Sequence, residues 1–263
     1  MRIGYFQFSP VFGNPVENRK RIEISLKKIN ADLIVLPELA TSGYFFGNID
    51  QLEAASETIP GPTTELLLRI AGEEKCFIVI GMPEIYRDKY YNTAVLIGPD
   101  GIVGKYRKVH LYNREKGFFT PGNSGFPIFE INKIKIGILI CFDHMFPEAA
   151  RSLALKGVQI ICHPSNLVMP EYGQLTTRVR SIENRIFWIL SNRTGSEQNG
   201  DKILKYTGKS QIISPDGNIL TSSSEIFEGI SIVAVDPSLA SNKNINKNNN
   251  LFKDRKSLEY ELS

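Results

Sequence analysis

The chain has 263 residues, 42% of them hydrophobic, enough for one large buried core, and its 31 basic and 28 acidic residues leave a formal charge of only +3. That balance supplies no field of the kind that captures nucleic acid or a membrane surface, and it points to a neutral or small polar partner. Three cysteines, Cys76, Cys141 and Cys162, argue against a disulfide framework and leave at least one free thiol.

The first residues, Met1 to Phe8, break their apolar character at Gln7 and lack the apolar stretch of a secretory signal. The longest apolar run, Ile136 to Phe142, is too short to span a bilayer. A soluble, cytoplasmic protein is the expectation.

In chain order, strands are predicted at Arg2–Phe8, Asp32–Leu36, Phe77–Gly81, Tyr91–Ile97, Lys135–Cys141, Val158–His163, Phe187–Asn192, Lys209–Ile213 and Gly229–Val235. Between them lie amphipathic segments. Asn18–Asn30 places Ile22, Leu26 and Ile29 on one face, and Gly173–Ile186 does the same for Leu175, Val179, Ile182 and Ile186, so both stripes are expected to face the core. A third helix is predicted from Pro147, suited to a first turn, to Lys156, ahead of a Gly157 suited to the left-handed position beyond a helix. Asp100-Gly101 and Pro215-Asp216-Gly217 read as hairpin turns, so the sheets must be mixed rather than purely parallel. The composition marks no second domain; residues 1–263 read as a single α/β unit. Ser241–Asn250, rich in Asn and Lys, reads as a flexible linker, yet Leu251-Phe252 beyond it would be wasted on a solvated tail and implies a docked carboxy terminus.

Three segments carry chemistry-bearing side chains. Ile136–Asp143 is a buried-looking strand that delivers Cys141 to its carboxyl end, where ligand sites of open α/β sheets lie and where backbone N–H groups can face a developing oxyanion. On location alone, a free cysteine is more often a small buried hydrophobe. A thiol nucleophile also needs a base or a neighbouring cation. His110 and His163 follow strand ends and are open candidates, while His144 is too close in sequence to be placed independently. Leu33–Glu38 offers a second route: an apolar strand ending in Pro37 and then Glu38, a carboxylate able to exchange a proton with a thiol, or else a solvated residue. Lys108, in Tyr106–Leu111, is either a surface lysine or a fixed positive charge for an oxyanion, with Glu115 placed to hold it or a substrate nitrogen. No metal-ligand spacing and no Gly-rich phosphate loop occurs, so neither metal nor cofactor is expected.

Taken together, Leu36-Pro37-Glu38, Arg107-Lys108-Val109-His110-Leu111 and Ile140-Cys141-Phe142-Asp143 resemble the nitrilase superfamily of carbon–nitrogen hydrolases, whose mark is Glu, Lys and Cys in that order. Gly43-Tyr44, Phe119–Gly122, His163-Pro164-Ser165-Asn166, Glu183-Asn184-Arg185 and Phe252–Arg255 extend the resemblance along the whole chain. It implies a four-layer α-β-β-α sandwich, and homodimers or larger homo-oligomers paired through helices beside the nucleophile and through a tail at 241–263. It implies that Glu38 takes the thiol proton, Cys141 attacks, Lys108 and the Phe142 backbone N–H stabilise the oxyanion, and Glu115 orients substrate and water. Tyr44, Phe142, His144 and Asn166 fall at the substrate pocket. The activity so implied is hydrolysis of a small aliphatic amide to an acid and ammonia through a cysteine thioester. Nitrile or N-carbamoyl amine hydrolysis is the alternative, and a catalytically silent scaffold is the alternative of another class. An acidic substrate would need an arginine, with Arg178, Arg180 and Arg193 as candidates.

Overall fold

The computed structural model describes residues 1–260. Two six-stranded mixed sheets are assembled from β1 (Arg2–Gln7), β2 (Leu33–Val35), β3 (Phe77–Tyr86), β4 (Lys89–Gly98), β5 (Gly101–Arg107), β6 (Ile128–Ile131), β7 (Ile134–Ile138), β8 (Ile160–Ser165) and β9 (Phe187–Asn192), with β12 (Gln211–Ile213), β13 (Ile219–Ser222) and β14 (Gly229–Ala234). The first sheet runs β14-β1-β2-β3-β4-β5 and the second β13-β12-β9-β8-β7-β6. Each has three parallel central strands, β1-β2-β3 and β7-β8-β9, flanked by antiparallel neighbours. The strands β10 (Ser196–Asn199) and β11 (Lys202–Lys205) form a separate hairpin.

Alternation along the strands explains the layering. In β1 and β2, Ile3, Tyr5, Leu33 and Val35 point to the second sheet and share a core with Ile136, Ile138, Ile160 and Ile189. The residues between them, Phe6 and Ile34, face the other way and pack on α1 (Pro15–Leu26) and α3 (Pro62–Glu74) through Ile22, Leu26, Leu67 and Ile70. The helices α4 (Pro147–Leu155) and α5 (Tyr172–Asn184) lie on the second sheet, which completes a helix–sheet–sheet–helix sandwich. A short helix, α2 (Ile49–Ala55), sits beside the first sheet.

The predicted helix at Asn18–Asn30 begins earlier and ends earlier, because Asn14 caps it by accepting from the Glu17 N–H at 3.1 Å and Pro15 fits the first turn. Ile29 lies beyond the helix and still packs against its core. The stripe on α5 is a correction: Leu175, Val179 and Ile182 are 64%, 40% and 42% exposed, not core-facing. The helix instead buries Gly173, Gln174, Thr177 and Ser181. Small side chains let its backbone come close to the sheet, and a Cβ on Gly173 would collide with Leu167. Ile186 is buried, but past the helix end.

The Asn-rich segment is not a free linker. Asn246 Oδ1 accepts from the N–H groups of Asn248 and Asn249, and Asn244 bridges to Asn250, so asparagine side chains cap a tight turn. Phe252 is partly buried against its own chain, under the Arg151 guanidinium at 5.4 Å and the Lys243 ammonium at 4.9 Å.

Candidate active site

Three connections meet at the carboxyl ends of the parallel strands. The turn after β2 carries Glu38, wholly buried, and its backbone lies directly on β3, where Gly81 donates to the Pro37 carbonyl at 3.1 Å. A Cβ at Gly81 would overlap the Glu38 backbone, so only glycine permits that approach. Lys108 follows β5 and continues its ladder by donating its N–H to the Asn92 carbonyl at 2.8 Å. Cys141 opens a 3-10 turn (Cys141–Met145) and takes a left-handed φ of 42°, a strained position for a residue with a Cβ.

Inside, the Lys108 ammonium is 1% exposed and donates to Glu38 Oε1 at 2.6 Å and to Glu115 Oε1 at 2.8 Å. Asn92 Nδ2 donates to the same Glu38 oxygen at 2.7 Å, which leaves Glu38 Oε2 buried without a partner among the described residues. Glu115 Oε2 accepts from the Tyr112 N–H at 3.2 Å. Burial opposes the lysine charge, but Glu115 and Glu38 overcome it and hold the Lys108 pKa above its ordinary range. Desolvation raises Glu115, with Lys108 pulling the other way and Glu38 adding to the rise. The Cys141 thiol is pushed well up, first by desolvation and then by Glu38, while Lys108 and the Asn166 backbone N–H on the sulfur draw it down. A thiol so placed rests protonated and needs a base to become a nucleophile.

This group opens on a cavity of about 220 Å³ whose wall includes Tyr44, Phe46, Tyr112, Glu115, Phe119 and Asn166. A smaller recess of about 20 Å³ adjoins it through Tyr112 and Asn166 and is lined by Cys141, Phe142 and His144. Glu38 and Lys108, tied to Glu115 by ion pairs, thus lie in one cluster with Cys141, Tyr44, Phe142, His144 and Asn166 around this cavity and recess. Tyr44 lies against Glu115. Phe142 is the second residue of its turn, where a helical N–H has no carbonyl of its own helix to meet. Both side-chain polar atoms of Asn166 are buried and unpartnered. His144 lines the recess with Nδ1 committed to Thr176 Oγ1 at 2.6 Å, and burial lowers its pKa to about 4.

The histidine candidates are engaged elsewhere. His163 Nε2 donates to the Cys141 carbonyl at 2.9 Å rather than meeting the sulfur, and His110 Nδ1 pairs with Asp143 Oδ1 at 2.7 Å. The three arginines weighed as acid anchors are also occupied: Arg178 donates to the Gly217 carbonyl, Arg180 pairs with Glu183, and Arg193 pairs with Glu197. The guanidinium that does line the cavity is Arg114, between the rings of Phe45 and Phe118 at 5.7 and 6.0 Å.

Sequence reasoning missed Asn92 and gave Asp143 no role. Asp143, fully buried, accepts from Tyr106 Oη at 2.8 Å, the Ile140 N–H at 2.9 Å and the His110 N–H at 3.2 Å, and so ties the cysteine turn to the lysine loop. A carboxylate directly after an apolar strand and a cysteine was the available signal. Asn92, inside a strand, carried none.

Residues 2–243 match the carbon-nitrogen hydrolase family. The chain is 41% identical to a nitrilase of Pyrococcus abyssi over 99% of both sequences, and 30% identical to an omega-amidase of Xenopus laevis over 83% of each. It superposes on Saccharomyces cerevisiae Nit3, a member of branch 10 of the nitrilase superfamily, with a TM-score of 0.79 at 27% identity and 92% coverage of each chain. Sequence, architecture and relatives agree: the chain belongs to the carbon-nitrogen hydrolase family, within the nitrilase superfamily, and is an enzyme acting on C–N bonds.

Proposed function

We propose that the enzyme hydrolyses a small aliphatic amide to a carboxylic acid and ammonia through a thioester on Cys141. The observation that carries this reading is the buried Lys108 bridging Glu38 and Glu115 beside Cys141, with Glu38 Oε2 left free. That oxygen takes the Sγ proton as the sulfur attacks the carbonyl carbon. Negative charge moves to the carbonyl oxygen, where Lys108 Nζ and the Phe142 N–H receive it. The intermediate collapses as Glu38 returns the proton to nitrogen, and ammonia leaves. Glu38 then deprotonates a water, oriented by Glu115, that cleaves the thioester. Asn166, its carboxamide unpartnered in the wall, supplies a donor and an acceptor to the substrate. A modest cavity with aromatic walls suits a short chain.

One hydrolase domain spans 1–263 in this reading, and two copies pair through the exposed face of α5, with the 241–263 tail, whose residues 261–263 lie outside the described residues, contributing to the contact through 241–260. Leu175, Val179 and Ile182 form an apolar row that a partner would cover. The catalytic reading is tested by ammonia release from short amides, N-carbamoyl amines and nitriles, with Cys141→Ala as control and hydroxylamine trapping of the thioester. Release from amides that vanishes in Cys141→Ala supports it. Turnover persisting in Cys141→Ala overturns it, and release from nitriles alone transfers the reading to a nitrilase.

A further inference from the structure

The buried carboxylate of Glu197 lies outside the site just described, yet it bonds the backbone of two residues that line the cavity, Tyr44 and Phe45. It is 3% exposed and sits in β10, opposite Leu204 of β11, which lines the cavity. Its Oε1 pairs with Arg193, itself wholly buried, and its Oε2 accepts from Tyr206 Oη at 2.5 Å. The same carboxylate accepts the backbone N–H of Tyr44 at 3.0 Å and of Phe45 at 2.9 Å. Gly43 precedes them with φ 77°, and a Cβ there would strike Glu197 Oε1. Asn199, on the same strand, donates to the Phe45 carbonyl at 2.8 Å.

A buried ion pair is weak evidence for stability, since desolvating two charges offsets much of their attraction. Here the pair does something more specific. The Arg193 guanidinium lies 3.9 Å from the centre of the Tyr206 ring, and Tyr206 meets Tyr44 edge-on at 6.4 Å. Backbone and side chain of Tyr44 are thus gripped from one group, and Tyr44 lines the cavity together with Glu115, which holds Lys108. We infer that Glu197 is a positioning residue: the β10–β11 hairpin uses it to clamp residues 43–46 and so to set the Tyr44 ring in the cavity wall that Glu115 shares. The inference rests on the hydrolytic reading above.

The test compares Glu197→Gln, Tyr44→Ala and the double variant with propionamide as substrate, alongside thermal unfolding and amide exchange over residues 43–46. Misplacing a reacting group by about 1 Å can cost 10²-fold, so Glu197→Gln should lower kcat by on the order of tenfold or more, with a smaller change in KM. The double variant should be no worse than the poorer single one, because both remove the same link. Losses that multiply in the double variant, or a kcat left unchanged in Glu197→Gln, overturn the inference. If Glu197→Gln does not fold, Tyr206→Phe, which removes one bond to the carboxylate, should show the same pattern at smaller size, and its absence counts equally against the clamp. A wild-type protein inert toward every amide would refute the hydrolytic reading alone. Faster exchange at Tyr44 and Phe45 in Glu197→Gln would still report the clamp.

Discussion

Replacing Lys108 by methionine tests the electrostatic core of the site. The ammonium makes two contacts, at 2.6 and 2.8 Å, among groups that are almost wholly buried. With an effective dielectric constant of about 20, each is worth roughly 6 kcal/mol of bare attraction, most of it offset by desolvation. Because the folded pKa of Lys108 is raised above the ordinary 10.5, the attraction is fully present below that value and is lost only as pH rises through the raised one. Near neutrality nothing of it is titrated away. Methionine fills the volume but leaves Glu38 and Glu115 facing each other without a cation, and breaking a buried pair in this way costs about 3–5 kcal/mol. Glu115, already raised by desolvation, loses the cation that pulled it down and binds its proton still more tightly in the folded state than in the unfolded one, so the deficit should be largest at pH 8 and shrink toward pH 5. Urea unfolding at the two pH values measures it. Lys108→Met combined with Glu115→Gln should recover part of the loss at pH 8 while turnover stays depressed by about 10²–10³ for want of the oxyanion donor. A Lys108→Met protein as stable as wild type at pH 8, or one that keeps more than a tenth of its activity, would refute the reasoning.

Two further outcomes follow from the same geometry. Burial lowers His144 from 6.5 to about 4, so the unfolded chain takes up a proton that the folded one refuses. Stability is intact above pH 6.5 and falls as pH drops toward 4, by about 2 kcal/mol at pH 5 from this one residue. His144→Gln should lose that much less than wild type between pH 8 and pH 5 in urea titrations, and an equal loss in the two proteins would contradict the assignment. Val179→Asp, on the exposed face of α5, should convert a dimer to a monomer in light scattering at micromolar concentration. A wild type monomeric throughout, or a variant still dimeric, would remove α5 from the interface.

What could be read from the sequence depends on whether the signal is local. Strands such as Arg2–Gln7 and Phe187–Asn192 are legible because their central residues are buried on both faces, which calls for short apolar runs such as Phe187-Trp188-Ile189-Leu190. The stripe on α5 misled because periodicity reports that a helix has an apolar face, not which surface covers it. Small polar residues pack that helix on its sheet, and the apolar face is turned outward. Glu38, Lys108 and Cys141 each follow a stretch of ladder, but a solvated carboxylate, a surface lysine and a core cysteine fit those positions too, and the three stood out as the ordered set that resembles the nitrilase superfamily. Asn92 and Glu197 did not, since a single polar residue within a strand is ordinary on an exposed face; only the third dimension puts Asn92 on Glu38 and Glu197 on the amides of Tyr44 and Phe45. The groups that react are thus marked by where strands end, and the groups that hold them are marked only by what the sheets bring opposite. A search for function by sequence pattern therefore finds the nucleophile and its partners before it finds Asn92, Asp143 and Glu197, although Cys141, at a left-handed φ and with its thiol pushed up by burial, depends on such neighbours to be set against its base.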